Sequence, residues 1–478
     1  MNVLLLINNA PHYINFLKSV GDCLKENNHK VVYACESHWP EVKYEASLEK
    51  EIKYYFTEFN KYEPKMNISN LNKKTNLRKY YYSCYDRKFN FGNLSNQDKN
   101  IDEIITNLLH FFNHIIIQEK IDLILYENVS NSFAYVAYEL ANKNNIKYFG
   151  LIAGRIPNRF EIWEDEYGNI KEREKHFNYL LEEKTTNKDK DLENAVKKYL
   201  EIFTTKEIKP DYMKNNPTSM HMNYFLYYIK KINIMIKLFE YYSGYAGEVK
   251  NAYQSRHPLK SSVNSVLRHF KRSFKIKVIK KMYDESKIYE DNYFIFPMHF
   301  QPESSTSVNA MYYDNQYEAI KNIVFSLPIG TYLYIKDHPN GIGFQSIEFY
   351  RKLKKLPHVK YIDPAMNTKE LIKNSKGVIT LTSTMGYEAL LLEKPVITLG
   401  KVFYNYHPYC YNVSSYSEIY DSVIKVLYNN HEKFKDYNLK FLYVYFQDTY
   451  EGRVFKEDTE IKKICDYIIE RVNNKRYI

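Results

Sequence analysis

Residues 377–400 read GVITLTSTMGYEALLLEKPVITLG, and this run decides the fold. An apolar segment of strand length (378–381) gives way to three hydroxyl residues, Thr382, Ser383 and Thr384. A helical pattern follows over 385–392, and a second apolar strand over 396–399. Strand, turn, helix, strand is the βαβ unit, whose parallel strands need a crossover helix and are covered on both faces. Ligands in such sheets bind outside the carboxyl ends of the strands. The turn at 382–386 is therefore the first place to look for chemistry.

The same rhythm extends in both directions. Apolar runs at 293–297 and 331–335 read as strands, with helices at 308–327, 345–354, 368–374 and 417–428. Near the amino end, 3–7 and 31–34 are strands separated by a helix at 13–26. Further on, 101–118 is a helix, 121–126 a strand, 133–144 a helix and 146–152 a strand. Residues 50–99 are polar and rich in Asn and Lys, and read as a variable insertion. From 166 to 281 no strand is expected, only long amphipathic helices.

The expected class is α/β: two doubly wound Rossmann-like lobes with a helical insertion between them and a site in the cleft they form. The expected division is 1–165 for the acceptor-side lobe, 166–290 for the helical connector, 291–430 for the nucleotide-binding lobe and 431–478 for a helical tail.

Composition bounds the partners. The chain has 478 residues, 44% hydrophobic and 26% charged, enough to bury a core. Its net charge of +11 favours acidic partners. Much of that excess lies between Lys260 and Lys281, which span eight Lys or Arg and no acid. The five cysteines are scattered, without a CxxC or Cys/His cluster, which argues against a zinc site or disulfide framework and for a reducing cytoplasm. The first residues lack the pattern of a signal peptide, and no run reaches the roughly 18 apolar residues of a membrane span. The expected location is cytoplasmic, peripheral at most.

Three segments carry the chemistry. In 382–388, a helix N-terminus with Thr382, Ser383 and Thr384 suits a phosphate, Gly386 permits close approach, and Glu388 can accept ribose hydroxyls. Simple helix capping by the same residues is the plainer reading. In 332–339 a strand runs into Asp337-His338-Pro339, so that His338 stands at the sheet's carboxyl edge with Lys336 as a fixed cation. In 294–307 another strand leads into Gln301 and Glu303, which can orient sugar or nucleotide or merely cap a helix.

The runs FPMHFQPE (296–303), KDHP (336–339) and TSTMGYEAL (382–390) resemble the capsule polysaccharide biosynthesis family, a group with GT-B-type glycosyltransferases that transfer Kdo, 3-deoxy-manno-octulosonic acid. The His-Pro and Ser-Thr pairs are also similar to the nucleotide motifs of two-lobed bacterial sialyltransferases. The resemblance covers roughly 293–404. It implies a CMP-linked acidic sugar donor, with His338 and the Ser383-Thr384 turn holding the CMP phosphate. The paired carboxylates before a glycine expected of sialyltransferases are absent, so the likeness does not extend to sialic acid.

A transferase also needs a base or nucleophile and an acceptor. Glu127, directly after the strand 121–126, is the first candidate, and His12 after the first strand is the alternative. Arg155, with Arg159, can clamp an acidic group or make structural ion pairs. No DxD-like metal motif stands out, so neither metal nor other cofactor is expected. Segment 262–281 places Val263, Val266, Leu267, Phe270, Phe274 and Val278 on one helical face among basic residues. That suits an anionic membrane surface, or a connector packed on a lobe; nucleic acid is not expected. The expected function is glycosyl transfer to a surface polysaccharide or glycolipid. A teichoic-acid-type transferase using a CDP-linked polyol and a non-catalytic export scaffold are the alternatives.

Overall fold

The computed structural model describes residues 1–48, 50–61, 75–182, 189–206, 208, 224–254, 258–285, 287–456 and 459–473. The chain divides into two compact units, each with its own sheet. The first comprises Met1–Glu166, Lys209–Val266 and Thr449–Ile478; the second comprises Tyr167–Ile208 and Leu267–Asp448.

The first unit is built on β1 (Asn2–Ile7), β2 (Lys30–Cys35), β3 (Ile52–Tyr55), β4 (Leu123–Tyr126), β5 (Lys147–Ala153) and β6 (Arg159–Trp163). Spatial order is β3-β2-β1-β4-β5-β6, with the first five parallel and β6 antiparallel to β5. Val3, Leu4, Leu5 and Leu6 are fully buried, as expected where helices cover both faces of a parallel strand.

In the second unit, β7 (Asn292–Pro297) is followed by β8 (Thr331–Lys336), β9 (Val359–Ile362), β10 (Gly377–Thr380), β11 (Val396–Thr398) and β12 (Cys410–Asn412). All six are parallel, ordered β12-β11-β10-β7-β8-β9. The chain starts in the middle, winds one way through β8 and β9, then crosses to β10 and winds the other way. That is the doubly wound dinucleotide-binding order, and its switch point lies between β7 and β10.

Strands β6, β9 and β12 are not expected from the sequence, and the structure departs from the sequence reading in four further places. Within the polar stretch 50–99 the described residues belong to the fold: Ile52–Tyr55 forms edge strand β3, and Tyr80, Tyr81 and Cys84 enter the core. Its buried Lys88 pairs with Asp98 at 2.7 Å and donates to the Tyr81 hydroxyl, so neither buried charge is left unpaired. The helix expected over 308–327 is interrupted and restarts as Gln316–Val324, where the Asn315 side chain accepts the Glu318 N–H. The helical segment is shared between the units rather than standing alone, and the division passes through helix Pro258–Ile279 between Val266 and Leu267. The tail contributes β13 (Thr449–Glu451), which pairs antiparallel with β6, and helix Ile461–Asn473, whose Cys465 and Ile468 join the first core.

Candidate functional site

In the second unit, three loops leave the carboxyl ends of adjacent strands. His299 follows β7, His338 follows β8, and Thr382 and Ser383 follow β10. The strands β8 and β10 are not neighbours, because β7 lies between them, and the β7 loop joins the two predicted motifs. His299 Nε2 accepts the Thr382 backbone N–H at 3.2 Å and lies 3.4 Å from the Thr380 hydroxyl. Burial, with the nearby His338 adding to it, pushes the His299 imidazole down to about 3. It is therefore neutral at physiological pH, with its proton on Nδ1.

His338 is the second neutral histidine, its pKa lowered by burial. Its Nδ1 accepts the Asn340 N–H at 3.2 Å, so Nε2 carries the proton and is a hydrogen-bond donor. The preceding Asp337 is buried, its carboxyl pushed up to about 6 by burial, and it accepts the Tyr361 hydroxyl. That anchor fixes the His-Pro loop. Lys336 departs from the expected role of a cation facing the site. It is buried, its amine pushed down to about 8 by burial, and it donates to the carbonyls of Pro364 and Met366. It stiffens the loop after β9 and lies near enough to Glu388 to attract it.

Helix Thr384–Leu391 starts as expected. Ser383 is the N-cap, its hydroxyl accepting the Met385 N–H at 3.2 Å. Thr382 spends its hydroxyl on the Ser305 carbonyl at 2.7 Å. The half-buried Thr384 makes no side-chain hydrogen bond among the described residues. Gly386 serves packing rather than ligand approach: a Cβ there would sit 2.3 Å from the Tyr404 hydroxyl, which donates to the Ser383 carbonyl at 2.6 Å. Gln301 is also structural, since its amide donates to Asp314 O at 2.6 Å and its carbonyl accepts from Gln316 at 2.9 Å. Glu303 is exposed at the start of Ser304–Ser307 and accepts from the Ser305 hydroxyl.

The sequence reading missed His299. The available signal was the one used for His338: a histidine just past the end of a buried strand.

In the first unit, the three sequence candidates follow β1, β4 and β5, again at carboxyl ends. His12 is exposed and adopts φ 68° at the start of helix Tyr13–Glu26. Glu127 is half-buried at the β1/β4 switch point, where Oε1 accepts the Ser130 hydroxyl at 2.6 Å and the Asn8 amide at 3.3 Å. Tyr13 also bonds to that carboxylate, and burial followed by Glu127 drives the phenol pKa up strongly. Arg155 reaches back to Ala153 O at 3.4 Å. Arg159 is committed to β13, donating to the Thr449 hydroxyl and carbonyl at 2.7 Å each.

The basic helix Pro258–Ile279 turns its apolar stripe outward. Of that stripe, Val263, Leu267, Phe270 and Phe274 are 54, 51, 58 and 65% exposed, while Val266 and Val278 are half-buried. Among the described residues, no helix is long and apolar enough to cross a membrane. A separate groove of about 270 Å³ lies by the amino ends of β10 and β11, lined in part by Lys376, Lys394 and His431.

Residues 180–417 match the family described as capsule polysaccharide biosynthesis protein. Protein FixF of Sinorhizobium fredii (strain NBRC 101917 / NGR234) is 39% identical over 95 residues, 19% of this chain and 21% of that protein. The match thus spans about a fifth of that relative's length. Among solved structures, the chain is similar to the beta Kdo 2,7 transferase of Thermosulfurimonas dismutans KpsC, at 12% identity over 76% of this chain and 89% of that one, with a TM-score of 0.37. The beta Kdo 2,4 transferase of the same KpsC gives 13% identity over 74% and 88%, with a TM-score of 0.35.

Proposed function

We propose that this chain, which over residues 180–417 belongs to the capsule polysaccharide biosynthesis family, is a nucleotide-sugar-dependent glycosyltransferase. Its donor is a CMP-linked acidic sugar such as Kdo, and its acceptor is a bacterial surface glycan or glycolipid. One observation carries the reading: two neutral histidines and a capped helix start gather at the switch point of a doubly wound sheet.

The donor phosphate is bound by N–H and O–H donors rather than by a metal. His338 Nε2–H, the Thr384 hydroxyl and the first amides of helix Thr384–Leu391 supply them. Glu388 takes the ribose hydroxyls. In the transfer, the acceptor oxygen attacks the anomeric carbon. The bond from that carbon to the phosphate oxygen breaks, and its electron pair leaves on CMP. Glu127 takes the acceptor's proton, with His12 as the alternative base and Arg155 as a contact for an acidic group. Segment 262–281 holds the enzyme peripherally on an anionic inner membrane surface, where each basic residue that faces the lipid contributes about 1 kcal/mol.

Incubation with CMP-Kdo and an oligosaccharide acceptor tests the function. Released CMP and a new glycosidic bond support it. A phosphodiester formed from a CDP-polyol would assign the chain to polymer-type phosphotransfer instead.

A further inference from the structure

The loop that carries His338 is held from outside by the basic helix. Residues 338–345 fold into a compact turn in which Gly341 N–H donates to His338 O at 2.7 Å and Phe344 N–H to Gly341 O at 3.1 Å. Three of its other carbonyls, those of Asn340, Ile342 and Gln345, accept from helix Pro258–Ile279. Arg272 Nε donates to Ile342 O at 2.7 Å and Nη2 to Asn340 O at 2.9 Å, while Lys275 Nζ donates to Gln345 O at 3.1 Å. The fit is close. Gly343 has φ +80°, and a Cβ there would lie 3.0 Å from Ile276 Cγ1 and 3.1 Å from Arg272 Cγ.

The contact continues inward through rings. The Arg272 guanidinium lies 4.7 Å from the Phe344 ring centroid, and Phe344 meets Phe300 edge-on at 4.9 Å. Phe300 neighbours His299 in sequence and lies 6.3 Å from the His338 ring. Arg272 is half-buried, and among the described residues no carboxylate pairs with it. A half-buried guanidinium bonded to carbonyls alone keeps its full charge beside the loop, which suits a neighbouring anion.

We propose that Arg272 is a positioning residue for the donor site: it fixes the 338–345 turn and through it the aim of His338 Nε2–H. The assignment rests on the reading of His338 as the phosphate-binding histidine. It gives the basic helix a second role, independent of its exposed apolar stripe. Two of its cations are spent on the donor loop and are not available to lipid.

Isothermal titration of the full-length protein with CMP tests it, comparing wild type, Arg272→Gln, Arg272→Lys, His338→Ala and the Arg272→Gln/His338→Ala double variant. Losing two charge-assisted hydrogen bonds to the turn should weaken CMP binding about tenfold in Arg272→Gln. Arg272→Lys, which keeps the charge but not the fork, should fall between it and wild type. The double variant should bind no more weakly than His338→Ala alone, because both substitutions remove the same contact. Unchanged CMP affinity in Arg272→Gln, or full additivity with His338→Ala, would overturn the proposal even if thermal stability drops. Should Arg272→Gln fail to fold, Gly343→Ala presses on the same turn from the other side and should also weaken CMP; undiminished binding there would equally overturn the proposal. A wild-type protein that does not bind CMP fails the donor reading itself, a result distinct from a wild type that binds while Arg272→Gln is unaffected.

Discussion

His299 Nε2 accepts the backbone N–H of Thr382 at 3.2 Å, tying the loop after β7 to the turn after β10 across the switch point of the second sheet. A protonated imidazole cannot accept that bond, so the connection exists only in the neutral ring. Burial keeps it neutral.

His299→Ala should therefore loosen the Thr382–Ser383 turn and weaken CMP binding about tenfold, as expected for loss of a buried hydrogen bond and of packing. Titration calorimetry measures it. Affinity equal to wild type would separate His299 from the site.

Stability should fall on acidification. His299 and the fully buried His407 are both pushed down to about 3, so below about pH 6.5 the unfolded chain takes up protons that the folded chain refuses. The contribution is fully present above the unfolded pKa and is lost as pH drops towards the folded one. For His407 alone the loss at pH 5 is about 2 kcal/mol, from 1.5 pH units at about 1.36 kcal/mol each. Asp337, raised to about 6, acts in the opposite sense, its contribution being lost as pH rises through that value. Denaturant melts of wild type and His407→Gln at pH 7 and pH 5 check the sign, and a variant with an equally steep pH dependence would contradict it.

The strands of both units are legible in the sequence only in part, for a physical reason. Segments buried on both faces, such as Val3 to Leu6 or Phe294 to Phe296, appear as unbroken apolar runs. The strands β12 and β13 have three residues each, too few to show any period, and they exist because a neighbour pairs with them. The site divides the same way. His338 and Ser383 are visible from their position after strands. Lys336 is not: a strand-end lysine reads as a cation facing ligand, whereas its ammonium is buried on the carbonyls of Pro364 and Met366. Gln301 reads in the sequence as a ligand contact or a capping residue and is spent on Asp314 and Gln316; only the tertiary fold reveals those partners.

Gly386→Ala should cost about 1–3 kcal/mol, because the new methyl collides with the Tyr404 hydroxyl. Adding Tyr404→Phe removes the nearest clashing atom and should recover part of the loss. Chemical denaturation of the single and double variants measures it. No recovery would show that the ring, not the hydroxyl, sets the limit.

Phe270→Ser/Phe274→Ser should reduce sedimentation with anionic vesicles while leaving CMP affinity unchanged, since both rings are exposed on the helix. Equal sedimentation of wild type with neutral and anionic vesicles would remove the membrane reading.

Glu127→Gln should lower sugar transfer about 100-fold or more, while CMP binding stays at the wild-type level. Its carboxylate is held by Ser130 and Asn8 in the first unit, whereas the CMP site is assigned to the second. Full transfer activity would shift the base to His12 or elsewhere.

The most direct measurement is a crystal structure with CMP bound. The phosphate should lie against His338 Nε2 and the start of helix Thr384–Leu391, with the ribose towards Glu388. CMP seated elsewhere, for instance in the groove by Lys376 and Lys394 at the opposite edge of the sheet, would contradict the account.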